Sequence, residues 1–280
     1  MKKRSLLTLI ITSVILLALL QAGCTPRAAV VWNKRGLDYY LRGDLERALE
    51  SYAEAIRLSP DFAEAYCNRG TVYVALSRLK DAKADFSRAI ELDPEFTDAY
   101  YARGALLLDQ KRYEAARADA ATVIELSPRR TEAYILRAKA LAELERPDDS
   151  ATDFATAIIL SPTDPIVYIE QGDFFFKIGK YDEAIADYTR AIALSSSDPD
   201  AFIKRGTAYE YGLSDWDKAL SDYTTAVEID PNKPGALNCR GNLFRKLGKT
   251  KKALADFSAI CIMGYQFGCW QYEWLSGRKR

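Results

Sequence analysis

The chain repeats itself every 34 residues. Gly36, Gly70 and Gly104 are 34 apart, Gly172 and Gly206 are 34 apart, and the step from Gly104 to Gly172 is twice that. Pro60, Pro94, Pro128 and Pro162 keep the same period. A period of this length means one supersecondary unit used many times, each copy burying its apolar face against its neighbours. Within the unit, apolar residues recur at spacings of 3 and 4, as in Asp182-Glu183-Ala184-Ile185-Ala186-Asp187-Tyr188, the spacing of an amphipathic helix. Small residues let one helix approach another, and aromatics fill the space beside them. Proline has no N–H to donate and ends the second helix.

The other repeated positions fall in phase. An aromatic stands at Trp32, Tyr66, Tyr100, Tyr134, Tyr168 and Phe202, and the small residue follows four places later, with Ala138 standing in once for glycine. An alanine recurs at Ala48, Ala82, Ala116, Ala184, Ala219 and Ala253, and a second aromatic at Tyr52, Phe86, Phe154, Tyr188, Tyr223 and Phe257. With this set the chain resembles the tetratricopeptide-repeat family, whose unit is a helix-turn-helix of the same length. The resemblance implies an all-α fold, a right-handed superhelical solenoid of about seven repeats with a C-terminal capping helix. The repeats are placed at 29–62, 63–96, 97–130, 131–164, 165–198, 199–233 and 234–267, after a short tether at 24–28 and before a cap and basic tail at 268–280. Four departures stand out. Ala120 replaces an aromatic, so that layer is expected to pack thinly, and Ser150 replaces the alanine. The fifth repeat ends Ser195-Ser196-Ser197 without its proline, and the sixth carries one extra residue within Tyr211-Gly212-Leu213-Ser214-Asp215.

Composition narrows the function. Lys plus Arg and Asp plus Glu are both 39 in the 280-residue chain, so it lacks the positive surplus a nucleic-acid binder needs. Histidine is absent, which removes Ser-His and Cys-His catalysis and most zinc chemistry. The many carboxylates follow the repeat phase, which marks them as structural. The expectation is therefore no enzyme, no cofactor, no metal and no small-molecule substrate, but a module that binds protein or peptide partners.

The first segment reads as an address. Lys2, Lys3 and Arg4 precede an uncharged run from Leu6 to Leu20, followed by Gln21-Ala22-Gly23-Cys24. A basic start, an apolar core and small residues before a cut point describe a secretory signal over residues 1–23. The Ala-Gly-Cys ending resembles a bacterial lipobox, which implies lipidation of Cys24, although Gln21 stands where the family prefers an apolar residue. An uncleaved single-helix anchor is the alternative. Either form places the body outside the cytoplasm, and Thr25 after the cysteine favours the outer membrane if the envelope is double. From Cys24 to Ala29 lies only Thr25-Pro26-Arg27-Ala28, a reach of roughly 14 Å when extended. The family's lipoproteins assist pilus or secretion-channel assembly or hold envelope enzymes, so two functions stay open: an adaptor, or a homo-oligomeric component built through the solenoid's ends.

Two patterns could form sites. Arg35, Arg69, Arg103, Arg137, Arg205 and Arg240 precede the small position, and Asp85, Asp119, Asp153, Asp187, Asp222 and Asp256 precede the second aromatic. This suggests a ladder of Arg–Asp pairs, since a guanidinium can meet a carboxylate with two bonds. An anion-binding stripe is the alternative. The resemblance further implies a partner groove on the first helices, lined by Tyr101, Leu108, Ile135, Ile169, Phe176, Ile203 and Tyr211 and rimmed by Asp109, Lys139, Asp173, Lys177 and Glu210. The bland alternative is that these side chains pack on one another. A clamp of Lys and Asn on a partner's C-terminal carboxylate is not expected, because Asn33, Asn68, Asn238 and Asn242 are scattered.

Of five cysteines, Cys261 and Cys269 are eight apart across a turn. The spacing resembles the bridge of cysteine-rich relatives of these repeats, which implies a disulfide in an oxidising compartment; two reduced cap cysteines are the alternative. Cys67 and Cys239 are expected unpaired, Cys67 facing the groove. Trp270, Tyr272, Trp274 and Leu275 read as a capping helix, and Arg278-Lys279-Arg280 as a solvated basic tail within reach of acidic lipid headgroups.

Overall fold

The computed structural model describes residues 26–277, and Cys24 and the basic tail lie outside them. The described residues form fifteen α-helices and one π-helical turn, with no strand. They group into two compact units divided after Pro128. The first holds α1 (Arg27–Leu41), α2 (Leu45–Leu58), α3 (Ala63–Ala75), α4 (Leu79–Leu92), α5 (Thr97–Asp109) and α6 (Tyr113–Leu126). The second holds α7 (Thr131–Glu143), α8 (Pro147–Leu160), α9 (Pro165–Lys177), α10 (Tyr181–Leu194), α11 (Pro199–Ala208), α12 (Trp216–Ile229), α13 (Pro234–Lys246), α14 (Thr250–Ile262) and α15 (Gln266–Ser276). The first fourteen pair as helix-turn-helix units, an A helix followed by a B helix, and α15 is the cap.

Each A-to-B turn uses one residue in the left-handed region: Gly43, Ser77, Lys111, Glu145, Gly179, Ser214 and Gly248. The next N–H then reaches back to the helix, as in Arg78 N to Tyr73 O at 2.8 Å and Lys180 N to Phe175 O at 2.9 Å. This satisfies carbonyls that the helix end would leave open. The B helices stop at Leu58, Leu92, Leu126 and Leu160, two residues before the prolines. The fifth repeat stops equally well at Leu194, with Pro199 opening the next helix behind the Asp198 cap.

Five of the seven repeats close on a glycine and an aromatic. A methyl group added at Gly70 would stand 2.6 Å from Phe86 Cε1, and Gly36 and Gly172 face Tyr52 and Tyr188 in the same way. Tyr52, Phe86, Phe154, Tyr188, Tyr223 and Phe257 are essentially fully buried, as are the alanines beside them. Ala120 is fully buried without an aromatic ring. Ser150 is also fully buried, and its hydroxyl donates to the Ala138 carbonyl at 2.9 Å.

Three local details differ from expectation. Helix α1 begins at Arg27, inside the expected tether, with Pro26 at the N-cap and its carbonyl accepting from Ala29 N at 2.8 Å. The cap helix begins at Gln266, since a tight turn at Gly264 brings it round early. In the sixth repeat the extra residue does not lengthen a loop; it is taken up by the π-helical turn Tyr209–Leu213 at the end of α11.

Candidate partner-binding site

The charged pattern resolves into pairs within five of the seven repeats. Arg69 meets Asp85 with two bonds at 2.7 and 2.8 Å. Arg103–Asp119, Arg137–Asp153, Arg205–Asp222 and Arg240–Asp256 repeat that fork from A helix to B helix. The carboxylates are buried, and bonding to them raises the arginine pKa values at Arg69, Arg103, Arg137 and Arg205. Arginines spent in this way leave no open anion stripe. Two expected members have no mate. Arg35 faces Ser51 and stacks on Trp32 instead, 4.9 Å from the ring. The fifth repeat has Gln171 at the arginine phase, one Asp187 carboxylate oxygen is buried without a hydrogen bond, and burial pushes its pKa up to about 7.

A second polar system joins successive A helices of the second unit. Lys139 pairs with Glu170 at 2.9 Å and Lys177 with Glu143 at 2.7 Å, linking α7 to α9. Lys204 meets Asp173 at 2.7 Å, linking α9 to α11. Asp173 also accepts the Tyr188 hydroxyl at 2.8 Å. Burial, followed by the nearby Asp173 charge, drives the Tyr188 phenol far above its ordinary pKa. In the first unit Asn33 donates to Glu64 and Asn68 donates to Asn33, tying α1 to α3.

The expected groove residues lie as follows. In the first unit Tyr101 and Leu108 are half-buried on α5. In the second, Ile135 rests on a cluster of Ala138, Phe154 and Phe174. Phe176 rests on Ala184 and Tyr188, and edge-on against Tyr181 at 5.4 Å. Ile203 rests on Ala219, Tyr223 and Leu243. Each is half-buried, so one edge packs and the other faces outward. Ile169, Asp173 and Phe176 share one face of α9 by their spacing. Phe176 and Ile203 open, with Asp173, Tyr188, Lys204 and Thr207, onto a depression of about 290 Å³.

Two expectations on this face are corrected. Glu210 is not a rim residue: it is buried under the π turn and accepts from Tyr223 at 3.1 Å. Tyr211 stands on the same turn and is 68% exposed. Cys67 does not face outward but is buried in the cluster of Phe86, Ala89 and Leu106. Neither Cys67 nor Cys239 is in a disulfide among the described residues, and burial pushes Cys239 up to about 11. Cys261 and Cys269 are joined by a disulfide, their Cα atoms 4.5 Å apart. Among the described residues no group of side chains could hold a metal ion, and no helix is long and apolar enough to cross a membrane.

Models of known families match along most of this array. The one described as TPR repeat matches residues 36–77 and 172–212, and those described as tetratricopeptide repeat match 63–96, 104–165, and 86–118 with 222–255. The chain belongs to the tetratricopeptide-repeat family. No curated protein matches the sequence. Among solved structures, a tetratricopeptide repeat protein from Parabacteroides merdae is similar at a TM-score of 0.70 and 18% identity, over 89% of this chain and 99% of that one. Pseudomonas aeruginosa pilF is similar at 0.62 and 21%, over 75% and 95%. Yeast Tom70 is similar at 0.68 and 19%, over 89% of this chain and 53% of that one. At these identities the likeness concerns the fold. Tetratricopeptide repeats are typically non-enzymatic protein-interaction scaffolds, and the fold implies protein or peptide partners for this chain.

Proposed function

We propose that this tetratricopeptide-repeat chain is a membrane-anchored scaffold of the bacterial cell envelope. It is not an enzyme; it holds peptide segments of partner proteins on the A-helix face of its second unit. The observation that carries the reading is the Ile169–Phe176–Ile203 surface. These apolar edges face outward beside the depression, and the ion pairs of Asp173, Lys139 and Lys177 hold the helices beneath them. An extended or helical peptide would bury its apolar side chains there and meet the paired charges along the margin. Anchoring rests on the sequence alone: a signal over residues 1–23 and lipidation of Cys24 would hold the repeats outside the cytoplasm, at the outer membrane if there is one. Tyr101 and Leu108 offer similar half-buried apolar side chains within the first unit.

The test is Ile169→Glu in cells, with crosslinking followed by mass spectrometry. Partners recovered with the native chain should be lost, while the purified variant keeps its thermal transition. Loss of that transition, or undiminished capture, would sink the assignment of this face. Radiolabelled palmitate incorporation that disappears in Cys24→Ala tests the anchor separately.

A further inference from the structure

The charge of this neutral chain is unevenly placed. Residues 231–255 carry seven basic residues and no acidic one. Residues 231–280 carry ten basic against two acidic, a surplus of eight positive charges, so the preceding residues hold an equal negative surplus. One of the two acids, Asp256, is spent on Arg240. The turn between α13 and α14 presents Arg245, Lys246, Lys249, Lys251 and Lys252, all exposed. Of these only Lys246 has an ion-pair partner among the described residues, Glu210 at 3.5 Å.

Beside this turn lies the cap helix. Its inner face is fixed: Gly268 sits against Ile260, Tyr272 and Leu275 pack on the Phe244–Phe257–Ile260 cluster, and the Cys261–Cys269 bridge ties α15 to α14. Its outer face carries Phe267, Trp270 and Trp274 at spacings of 3 and 4. They are 43%, 65% and 60% exposed. The solvent-facing side of an amphipathic helix is ordinarily polar. Here it is aromatic, and the Arg245 guanidinium lies 5.4 Å from the Trp274 ring, which joins the aromatic row to the basic turn. Gly277 is followed in sequence by Arg278, Lys279 and Arg280.

We infer that the outer face of α15 and the adjoining basic turn form a docking surface for an anionic phospholipid bilayer. Tryptophan rings favour the depth of the headgroups, and a rigid helix with an aromatic row binds in the interfacial plane. Unpaired lysines and arginines beside it are drawn to acidic headgroups. Three rings are a small area for a stable contact with a second copy, for which about 800 Å² per partner is usual. The surface does not depend on the state of Cys24: it would orient the last repeat on a membrane however the chain is held there.

The test uses the full chain reconstituted into phosphatidylcholine vesicles with and without phosphatidylglycerol, with hydroxyl-radical footprinting read by mass spectrometry. Trp270 and Trp274 should oxidise about threefold more slowly on the anionic vesicles, Tyr113 of the first unit should not change, and high salt should restore the rate. In a Trp270→Ser, Trp274→Ser chain, Phe267 should lose its protection while the disulfide and the inner packing of α15 persist. Flotation of that variant with the vesicles reports the N-terminal anchor alone, so failure there leaves the docking result readable. Equal oxidation on both lipids overturns the inference. So does protection that rises with protein concentration without lipid, which marks a face between copies, or equal protection by an RNA oligonucleotide, which marks a general polyanion site.

Discussion

Asp187 offers a quantitative test of the charged ladder. Five repeats place an arginine opposite this aspartate position, and the fifth repeat places Gln171 there. Moving a carboxylate from its ordinary 3.8 to about 7 corresponds to about 4 kcal/mol of discrimination against its charged form. Asp187 still touches water, and allowing for screening about half of that, about 2 kcal/mol, acts on stability. The sign follows from proton binding. Below the unfolded value both states hold the proton and nothing is lost. Between there and about 7 the folded chain keeps a proton that the unfolded chain releases, so stability falls as pH rises, and above about 7 the loss is complete. Gln171→Arg should supply the missing fork, as the paired arginines do with side chains 18–27% exposed. Urea denaturation followed by circular dichroism, with amide exchange read in α9 and α10, should show a gain of about 2 kcal/mol near pH 8 and roughly half of that near pH 5. Asp187→Asn should remove the pH dependence without an arginine. An equal gain at both pH values, or a loss near pH 8, would refute the reasoning.

Ser150→Ala should change stability by less than about 0.5 kcal/mol in thermal melts, because it removes a buried hydroxyl together with the bond that satisfied it. Gly70→Val should cost about 3 kcal/mol by denaturant unfolding, since its side chain would press on the buried Phe86 ring, and a double variant with Phe86→Ala should recover part of the loss. Cys261→Ser with Cys269→Ser should cost about 2–3 kcal/mol for a loop of this length. Amide exchange should place that loss in α15 and leave α1 to α6 unchanged.

How much of this was legible in the sequence depended on whether the information was periodic. The glycines, buried aromatics and terminating prolines recur at fixed phase, so the unit could be read from them. The Arg–Asp ladder was legible for the same reason, yet its partners within a repeat were not, because residues one period apart carry the same side chains. Arg35 and Asp187 could have been flagged: Ser51 and Gln171 break the pattern at the facing positions. Glu210 was misplaced because the inserted residue shifts the face on which its side chain falls. Cys67 was misplaced because its position is buried in this repeat, whereas Tyr101, Ile135, Ile169 and Ile203 are half-buried at theirs. The ion pairs between A helices are not legible in the sequence because they use different residues in each repeat. The basic end of the chain was hidden by a total charge of zero.

The π turn of the sixth repeat has a consequence for how such chains tolerate change. Arg205 and Asp222 are separated by one residue more than their counterparts, yet they meet at 2.8 and 2.7 Å like the others. The extra residue widens one helical turn, Asp215 N still closes it on Tyr209 O at 2.9 Å, and α12 resumes in step. An insertion that would slip every later contact is thus quarantined within five residues, Tyr209–Leu213. The hairpin end of a repeat acts as an expansion joint: chain length can drift there while the stack on either side keeps its gauge.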